Sequence, residues 1–474
     1  MCGFAWFTYQ NEKLLENVSQ TLKSRAIDDD YSYYDEWLSF YHAHLKISDL
    51  DKNTSQPLIW DHVVVWLVGE IYNKKHLLEL VWIEGNAEDY TELQTIALCY
   101  EKLWENFINY VNGEFTIFIY DKTKSEYFLF RDRWGVNNAY YRIYKNQFYF
   151  ASEMKALILQ VAEVDRNAFI EYMTFQFSIS PNTIVKDVKT LRPGTYAVFK
   201  DGKLFLKDFK PYEYTETGNI IETIEASICR RIPHFQKKIF ISLSGWPDSN
   251  LILYFLDKHY QWEIIAYTFC TDENKSEVVY AVENAKKLWI QHLLIDMNAY
   301  NFQDKKQDIY HHEWLLKSPN LWRIIREKYP EYNSIKVEFW WDGKEELILG
   351  NNHFPYESIQ ERYEYFRSKD MINTFDINQE FLNKEMFDFN LQMIDKITLR
   401  NGLERRMPFT DYELLRFFKY QNYRQEAEDF LKTKWMSIIQ GEYWYNIGTW
   451  FQYNFSPKEA AKDLFSQLNV LDER

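Results

Sequence analysis

Glycine is scarce in this chain, with 14 residues in 474. Glycine admits positive φ and close backbone approach, so tight nucleotide-binding loops have few places to form. Cysteine is scarcer, at Cys2, Cys99, Cys229 and Cys270. None forms a C-x-x-C pair or has histidines at zinc spacing, and three lie in apolar contexts that read as buried thiols. His311-His312 and His42-x-His44 read as incidental rather than as metal ligands. A basic surplus is also absent. The net charge is −15, which argues against a sequence-independent nucleic-acid binder while leaving room for a local basic groove. No apolar run approaches the ~18–20 residues that span a membrane. No basic segment followed by an apolar one opens the chain. The expectation is a soluble, cytoplasmic protein.

Hydrophobic residues make up 46% and aromatics 19% of the chain, enough for two or three packed domains. The stretch Lys238 to Leu251, KIFISLSGWPDSNL, organises the rest. Ile239-Phe240-Ile241 reads as a buried strand end, Ser242 to Ser249 as a polar turn, and the apolar run from Leu251 as a helix. A strand, a hydroxyl-rich turn and a helix start make an anion site in α/β proteins. Asp248 inside that turn calls for a divalent cation between carboxylate and phosphate, which points to Mg²⁺. Ile264 to Phe269 reads as a further strand and Ser276 to Trp289 as a helix, so a parallel sheet with helices on both faces is expected.

Cys2 follows the initiator methionine. Once Met1 is removed it carries a thiol and a free α-amine, whose ordinary pKa of about 8 suits a general base. Residues 4–8 and Val63 to Val68 read as strands, within a strand-rich domain of about 200 residues. The charged stretch Asp201 to Gly218 reads as the domain boundary, and Ile220, Ile221, Ile224, Ile228 and Ile232 mark one face of the helix after it.

In order and spacing the N-terminal segments resemble the class II glutamine amidotransferase half of glutamine-hydrolysing asparagine synthetase. The segments are Met1-Cys2-Gly3, Arg25 to Asp28, His42 to Asp49, Gln56-Pro57, Gly69 to Asn73, Asn112 to Phe118, Arg131 to Gly135, Tyr140-Tyr141 and Ala151 to Leu157. Ser244 to Asn250 resembles the pyrophosphate loop of ATP pyrophosphatases, S-G-G-x-D-S-[ST], with Trp246 at the second glycine and Asn250 at the last hydroxyl position. Trp340 to Leu347 is similar to S-G-[DE]-G-x-D-E-[LV], with two tryptophans for the serine and glycine. Asp395 to Asp411 is similar to D-R-x-S-M-x-x-S-L-E-x-R-x-P-F-L-D, and its charges read as pairing internally.

The resemblance implies an α+β N-terminal-nucleophile (αββα) sandwich, then an α/β parallel-sheet ATP-pyrophosphatase (adenine nucleotide α-hydrolase-like) domain. The implied bounds are 1–205 and 215–445, with a C-terminal extension at 446–474. It implies Cys2, Gly69, Asp342 and Lys432 as catalytic residues. Glutamine would be held by His44, Val68, Gly69, Glu70 and Asp89, with ATP on Ser242, Leu243, Ser244, Gly245, Asp248 and Ser249. Mg²⁺ would sit on Asp248 and Glu345. The cofactors are then ATP and Mg²⁺, and the partners glutamine and a carboxylic acid acceptor, with no nucleic acid or membrane and a homodimer as candidate assembly.

Two departures touch the chemistry. His44 stands where the family has the arginine for the glutamine α-carboxylate, and lacks its two-pronged fork. Val68 stands where the family has an oxyanion-binding asparagine, and one such donor is worth ~10²–10³ in rate. Three functions remain open on the sequence. They are an asparagine-synthetase-type ligase, a relative adenylating another carboxylate as β-lactam synthetases and lasso-peptide cyclases do, and a non-catalytic scaffold.

Overall fold

The computed structural model describes residues 2–47, 56–158, 162–175, 177–213, 218–297, 313, 320–342, 391–417 and 422–438. Two antiparallel sheets come first. One has the order β10-β8-β9-β1-β3-β2 and contains β1 (Gly3–Phe7), β2 (Asp29–Tyr34), β3 (Ser39–His44), β8 (Tyr140–Tyr144), β9 (Gln147–Ala151) and β10 (Lys189–Thr190). The other has the order β12-β11-β7-β6-β5-β4, from β4 (Leu58–Trp60), β5 (Val63–Ile71), β6 (Gly113–Asp121), β7 (Glu126–Arg131), β11 (Thr195–Lys200) and β12 (Lys203–Asp208).

Strand alternation explains the layering. In β1, Phe4 and Trp6 point between the sheets, where they meet Trp66, Phe118 and Phe150. Ala5 and Phe7 point outward to Leu15, Val18 and Leu22 of α1 (Glu12–Leu22). In β5, Val64, Trp66 and Val68 face the other sheet, and Val63, Val65 and Leu67 face Ile96, Ala97 and Tyr100 of α3 (Glu92–Leu103). Both faces are covered, so these strands are apolar throughout rather than alternating. Short α2 (Lys74–Leu80) packs beside α3, whose N-terminus is fixed by a capping box of Thr91 and Gln94. The result is the expected αββα sandwich. β5 runs three residues beyond the expected end because Gly69, Glu70 and Ile71 still pair with Phe115, Glu114 and Gly113.

After α4 (Arg166–Phe175) the second sheet closes on β12, which pairs with β11 along its whole length. β12 runs through position 205, the expected end of the first half, and a charged, exposed edge strand resembles a linker in sequence. α5 (Ile220–Arg231) opens the second half with an Asn219–Glu222 capping box and buries Ile220, Ile224 and Ile228. A parallel sheet follows in the order β15-β14-β13-β16-β17, from β13 (Lys238–Ser242), β14 (Glu263–Cys270), β15 (Gln291–Asp296), β16 (Val337–Phe339) and β17 (Glu404–Arg406). Its helices include α6 (Pro247–His259), α7 (Ser276–Lys287), α8 (Leu321–Lys328) and α9 (Tyr423–Thr433). Among the described residues no helix is long and apolar enough to cross a membrane.

Candidate active sites in the two halves

Cys2 lies just ahead of β1 and is 7% exposed. The Leu45 N–H points at its sulfur from 3.4 Å. Burial pushes the Cys2 thiol up to about 11, so it is a neutral thiol at neutral pH and needs a base before it can attack. The buried Arg25 guanidinium holds this end of the strand. It donates to the Cys2 carbonyl at 3.3 Å and to Asp395 at 3.0 Å, and pairs with Glu153. Gly3 makes room for it, since a Cβ there would stand 2.7 Å from Arg25 Cδ.

Of the expected glutamine residues, His44 is buried, with Nδ1 3.1 Å from Asp29 Oδ1 and 3.3 Å from the Tyr31 hydroxyl. Burial lowers its pKa despite the Asp29 carboxylate. Val68 is buried in the inter-sheet core with Cys2. Gly69 has φ +107°, and a Cβ there would lie 1.9 Å from the Glu114 carbonyl oxygen, so only glycine fits. Glu70 pairs with Arg406 at 3.4 Å. Asp89 is exposed in the single turn Ala87–Asp89 beside α2. Gln56 acts as a peg, accepting from Leu67 N–H and donating to Leu67 O, each at 2.9 Å. Asp29 and Tyr31 carry no signal in the sequence. Only their pairing opposite His44 and His42 across β2 and β3 exposes them.

The second site lies between β13 and α6. The helix starts earlier than the sequence suggests. Pro247 takes its first position, so Asp248 and Ser249 belong to the first turn rather than to the loop. Ser244 N–H donates to Ser249 Oγ at 3.0 Å, and the two hydroxyl oxygens are 2.9 Å apart. Gly245 is needed for contact with α7, since a Cβ would meet the Glu277 carbonyl at 2.9 Å. Asn250, in place of the hydroxyl residue, latches the loop by donating to the Ser244 and Trp246 carbonyls at 2.8 and 2.6 Å. Ser242 and Leu243 lead into it, and Leu243 N–H donates to Tyr267 O at 2.8 Å.

Asp248 is 6% exposed and accepts from the Tyr423 hydroxyl at 3.3 Å. The next residue on α9, Arg424, lies 4.6 Å from the centroid of the Trp246 ring. Lys432 is brought elsewhere. It sits nine residues along α9 from Tyr423, about 13 Å by the helical rise, and pairs with Glu428 and Asp429. Asp342 is not an unpaired acid, because Arg405 reaches it at 3.9 Å. Glu345, the other expected metal ligand, lies outside the described residues.

The 395–411 segment joins the two halves. Its charges are expected to pair internally, and the Glu404–Arg406 pair at 3.1 Å does. Most reach outward instead. Asp395 meets Arg25, Arg406 meets Glu70, and Asp411 accepts from Arg231 at 2.7 Å and Arg230 at 3.0 Å. Arg231 also donates to Glu114 of β6 at 3.1 Å. Sequence cannot supply those partners, which lie hundreds of positions away.

Residues 1–212 match the glutamine amidotransferase domain family. The chain is 27% identical over 392 residues to asparagine synthetase [glutamine-hydrolyzing] 1 of Bacillus subtilis, covering 76% of this chain and 61% of that protein. It thus spans less than two thirds of that relative's length. It is 25% identical over 443 residues to putative asparagine synthetase [glutamine-hydrolyzing] 1 of Methanocaldococcus jannaschii, covering 85% and 75%. Among solved structures, the glutamine phosphoribosylpyrophosphate amidotransferase of B. subtilis aligns over 76% of this chain and 79% of its own at 10% identity, with a TM-score of 0.32. Residues 1–212 thus match a glutamine amidotransferase domain, and over most of its length the chain is similar to glutamine-hydrolysing asparagine synthetases.

Proposed function

We propose that the protein is an ATP-dependent amide-forming ligase, in which Cys2 releases ammonia from glutamine and the second half activates a carboxylate, aspartate or a related acid, to receive it. The observation that carries this reading is the placement of Cys2. It lies just ahead of β1, buried in the inter-sheet core with Val68, and Glu70, two residues further along β5, is near enough to oppose its ionisation and is tied to the sheet of the second half. Such a tie suits a reaction that passes ammonia between sites, since free ammonia is mostly protonated at neutral pH and then not nucleophilic.

The donor set of the second site fits a magnesium-bound polyphosphate. Ser244 and Ser249 offer hydroxyls, the α6 N-terminus offers N–H groups and a positive dipole end, and Asp248 offers a buried carboxylate. ATP would supply the leaving group that turns a carboxylate into an acyl donor. Within the chain, Tyr423 orients Asp248, and Asn250 holds the loop in register. Intact-mass analysis after treatment with a glutamine-analogue electrophile should show one adduct that Cys2→Ala abolishes. Modification of Cys99 in its place would overturn the glutaminase half of the reading.

A further inference from the structure

Four of the non-glycine residues with positive φ among the described residues are tryptophans, although tryptophan is 17 of 474 residues. The other seven are Asp, Asn, Ser, Lys and Glu. A bulky side chain with positive φ is an outlier, whereas small polar residues visit that region regularly. Three of these tryptophans occupy the same structural slot. Trp82 follows α2, Trp289 follows α7 and Trp435 follows α9, with φ of 61°, 59° and 68°.

Each is the left-handed residue of a Schellman helix end. Trp82 N–H donates to Glu79 O and Ile83 N–H to Leu78 O, at 3.1 and 3.0 Å. Trp289 and Ile290 repeat this on Lys286 and Ala285, and Trp435 and Met436 on Lys432 and Leu431. That slot belongs to glycine, and an apolar residue after it completes the motif. The three indoles are 91%, 95% and 85% exposed, so burial does not offset the backbone cost. Trp104 ends α3 at φ 53°, ψ −149°, next to a region that glycine alone populates freely.

At Trp6 the unusual feature is crowding rather than φ. Trp6 and Phe118 have ring centroids 3.4 Å apart at 39°, closer than the ~4.5–7 Å of ordinary aromatic pairs. The Trp6 indole N–H is buried with no hydrogen-bond partner among the described residues. Trp246, beside Gly245, carries neither signal, since its backbone is ordinary and extended at φ −83°, ψ 153°, ahead of the first turn of α6.

We infer that positions 82, 104, 289 and 435 are glycine in the protein as its own cells make it, because one codon is read there as glycine and here as tryptophan. The codon UGA has both meanings in different genetic codes. Position 246 is assigned to the same set, which gives the anion loop two consecutive glycines. The functional value of that second glycine rests on the ligase reading; the residue identities do not. Replacing an indole by a hydrogen beside Gly245 frees the backbone to close round a polyphosphate, and it removes the ring on which Arg424 stacks.

The test is peptide mass spectrometry on the protein purified from its own source cells, read at positions 82, 104, 246, 289 and 435. Glycine at all five is expected. Tryptophan at 82, 289 or 435 would overturn the inference, and glycine at those three with tryptophan at 246 would overturn its extension to the loop. These readings do not depend on activity, so a failed ligase reading leaves them intact. In recombinant protein, Trp82→Gly, Trp289→Gly and Trp435→Gly combined should raise the melting temperature, and a lower one would contradict the backbone argument.

Discussion

The Arg406 guanidinium stands 3.4 Å from the Glu70 carboxylate, which joins the edge of the Cys2 pocket to the parallel sheet of the other half. Glu70 and Glu404 both lie close enough to Cys2 to oppose its ionisation. The neighbouring Arg405 faces the other way, as alternate residues of a strand do, and pairs with Glu338 at 3.0 Å and Asp342 at 3.9 Å. Three consecutive residues of β17 thus touch both sites. Arg406→Leu would remove the guanidinium that Glu70 and the buried Glu404 both face. Stability should drop by about 3 kcal/mol in guanidinium unfolding. Glutamine-dependent turnover should fall further than ammonia-dependent turnover. An equal loss of both would mean that β17 is only a structural strand.

Gly69→Ala would place a methyl 1.9 Å from a carbonyl oxygen at a φ of +107°. Destabilisation of at least about 3 kcal/mol, or loss of soluble protein, is expected. A Gly69→Ala protein with unchanged unfolding midpoint would show that β5 shifts easily at this point.

The sandwich is legible in the sequence because its strands are covered on both faces and so read as dense apolar runs, of which β5 is the clearest. The β13–α6 corner is legible from Ile239-Phe240-Ile241 and the serines after it. Other features are hidden for physical reasons. β12 is an exposed, lysine-bearing edge and resembles a linker. Pro247 opens α6 four residues before the apolar run that marks the helix in the sequence. The pairs Arg25–Asp395 and Glu70–Arg406 depend on how two domains dock, which no local pattern encodes. Trp82, Trp289 and Trp435 carry no local sequence signal, and only their backbone conformation sets them apart.

His44→Arg with Val68→Asn should raise kcat/KM for glutamine hydrolysis by tenfold or more, since one oxyanion donor is worth ~10²–10³. The guanidinium introduced at position 44 would replace a neutral imidazole with a fixed charge beside Asp29. The buried amide at 68 should cost about 1–3 kcal/mol of stability unless it finds its partner. A double variant no faster than the parent would show a pocket rebuilt around His44, Asp29 and Tyr31.

Acid should destabilise the protein in a defined window. Thr268 donates to the Leu243 carbonyl at 2.6 Å, so its oxygen receives the His292 Nε2–H at 2.8 Å. Burial lowers the His292 pKa from 6.5 to about 4, and that of His42 falls well below its ordinary value for the same reason. Between these limits the unfolded chain binds more protons. Stability is therefore full above about pH 6.5 and is lost as pH falls towards 4, by roughly 3 kcal/mol for His292 alone. His292→Gln should flatten part of that slope in urea melts at stepped pH. A slope unchanged by the substitution would assign the acid response to other groups.

The most direct measurement of the central claim is Mg²⁺-dependent ATP–pyrophosphate exchange over a panel of carboxylic acids that includes aspartate. Exchange should appear with one acid or a narrow set, disappear in Asp248→Asn, and persist or strengthen in Trp246→Gly. No exchange with any acid, in either the parent or Trp246→Gly, would contradict the account and leave the fold as a scaffold.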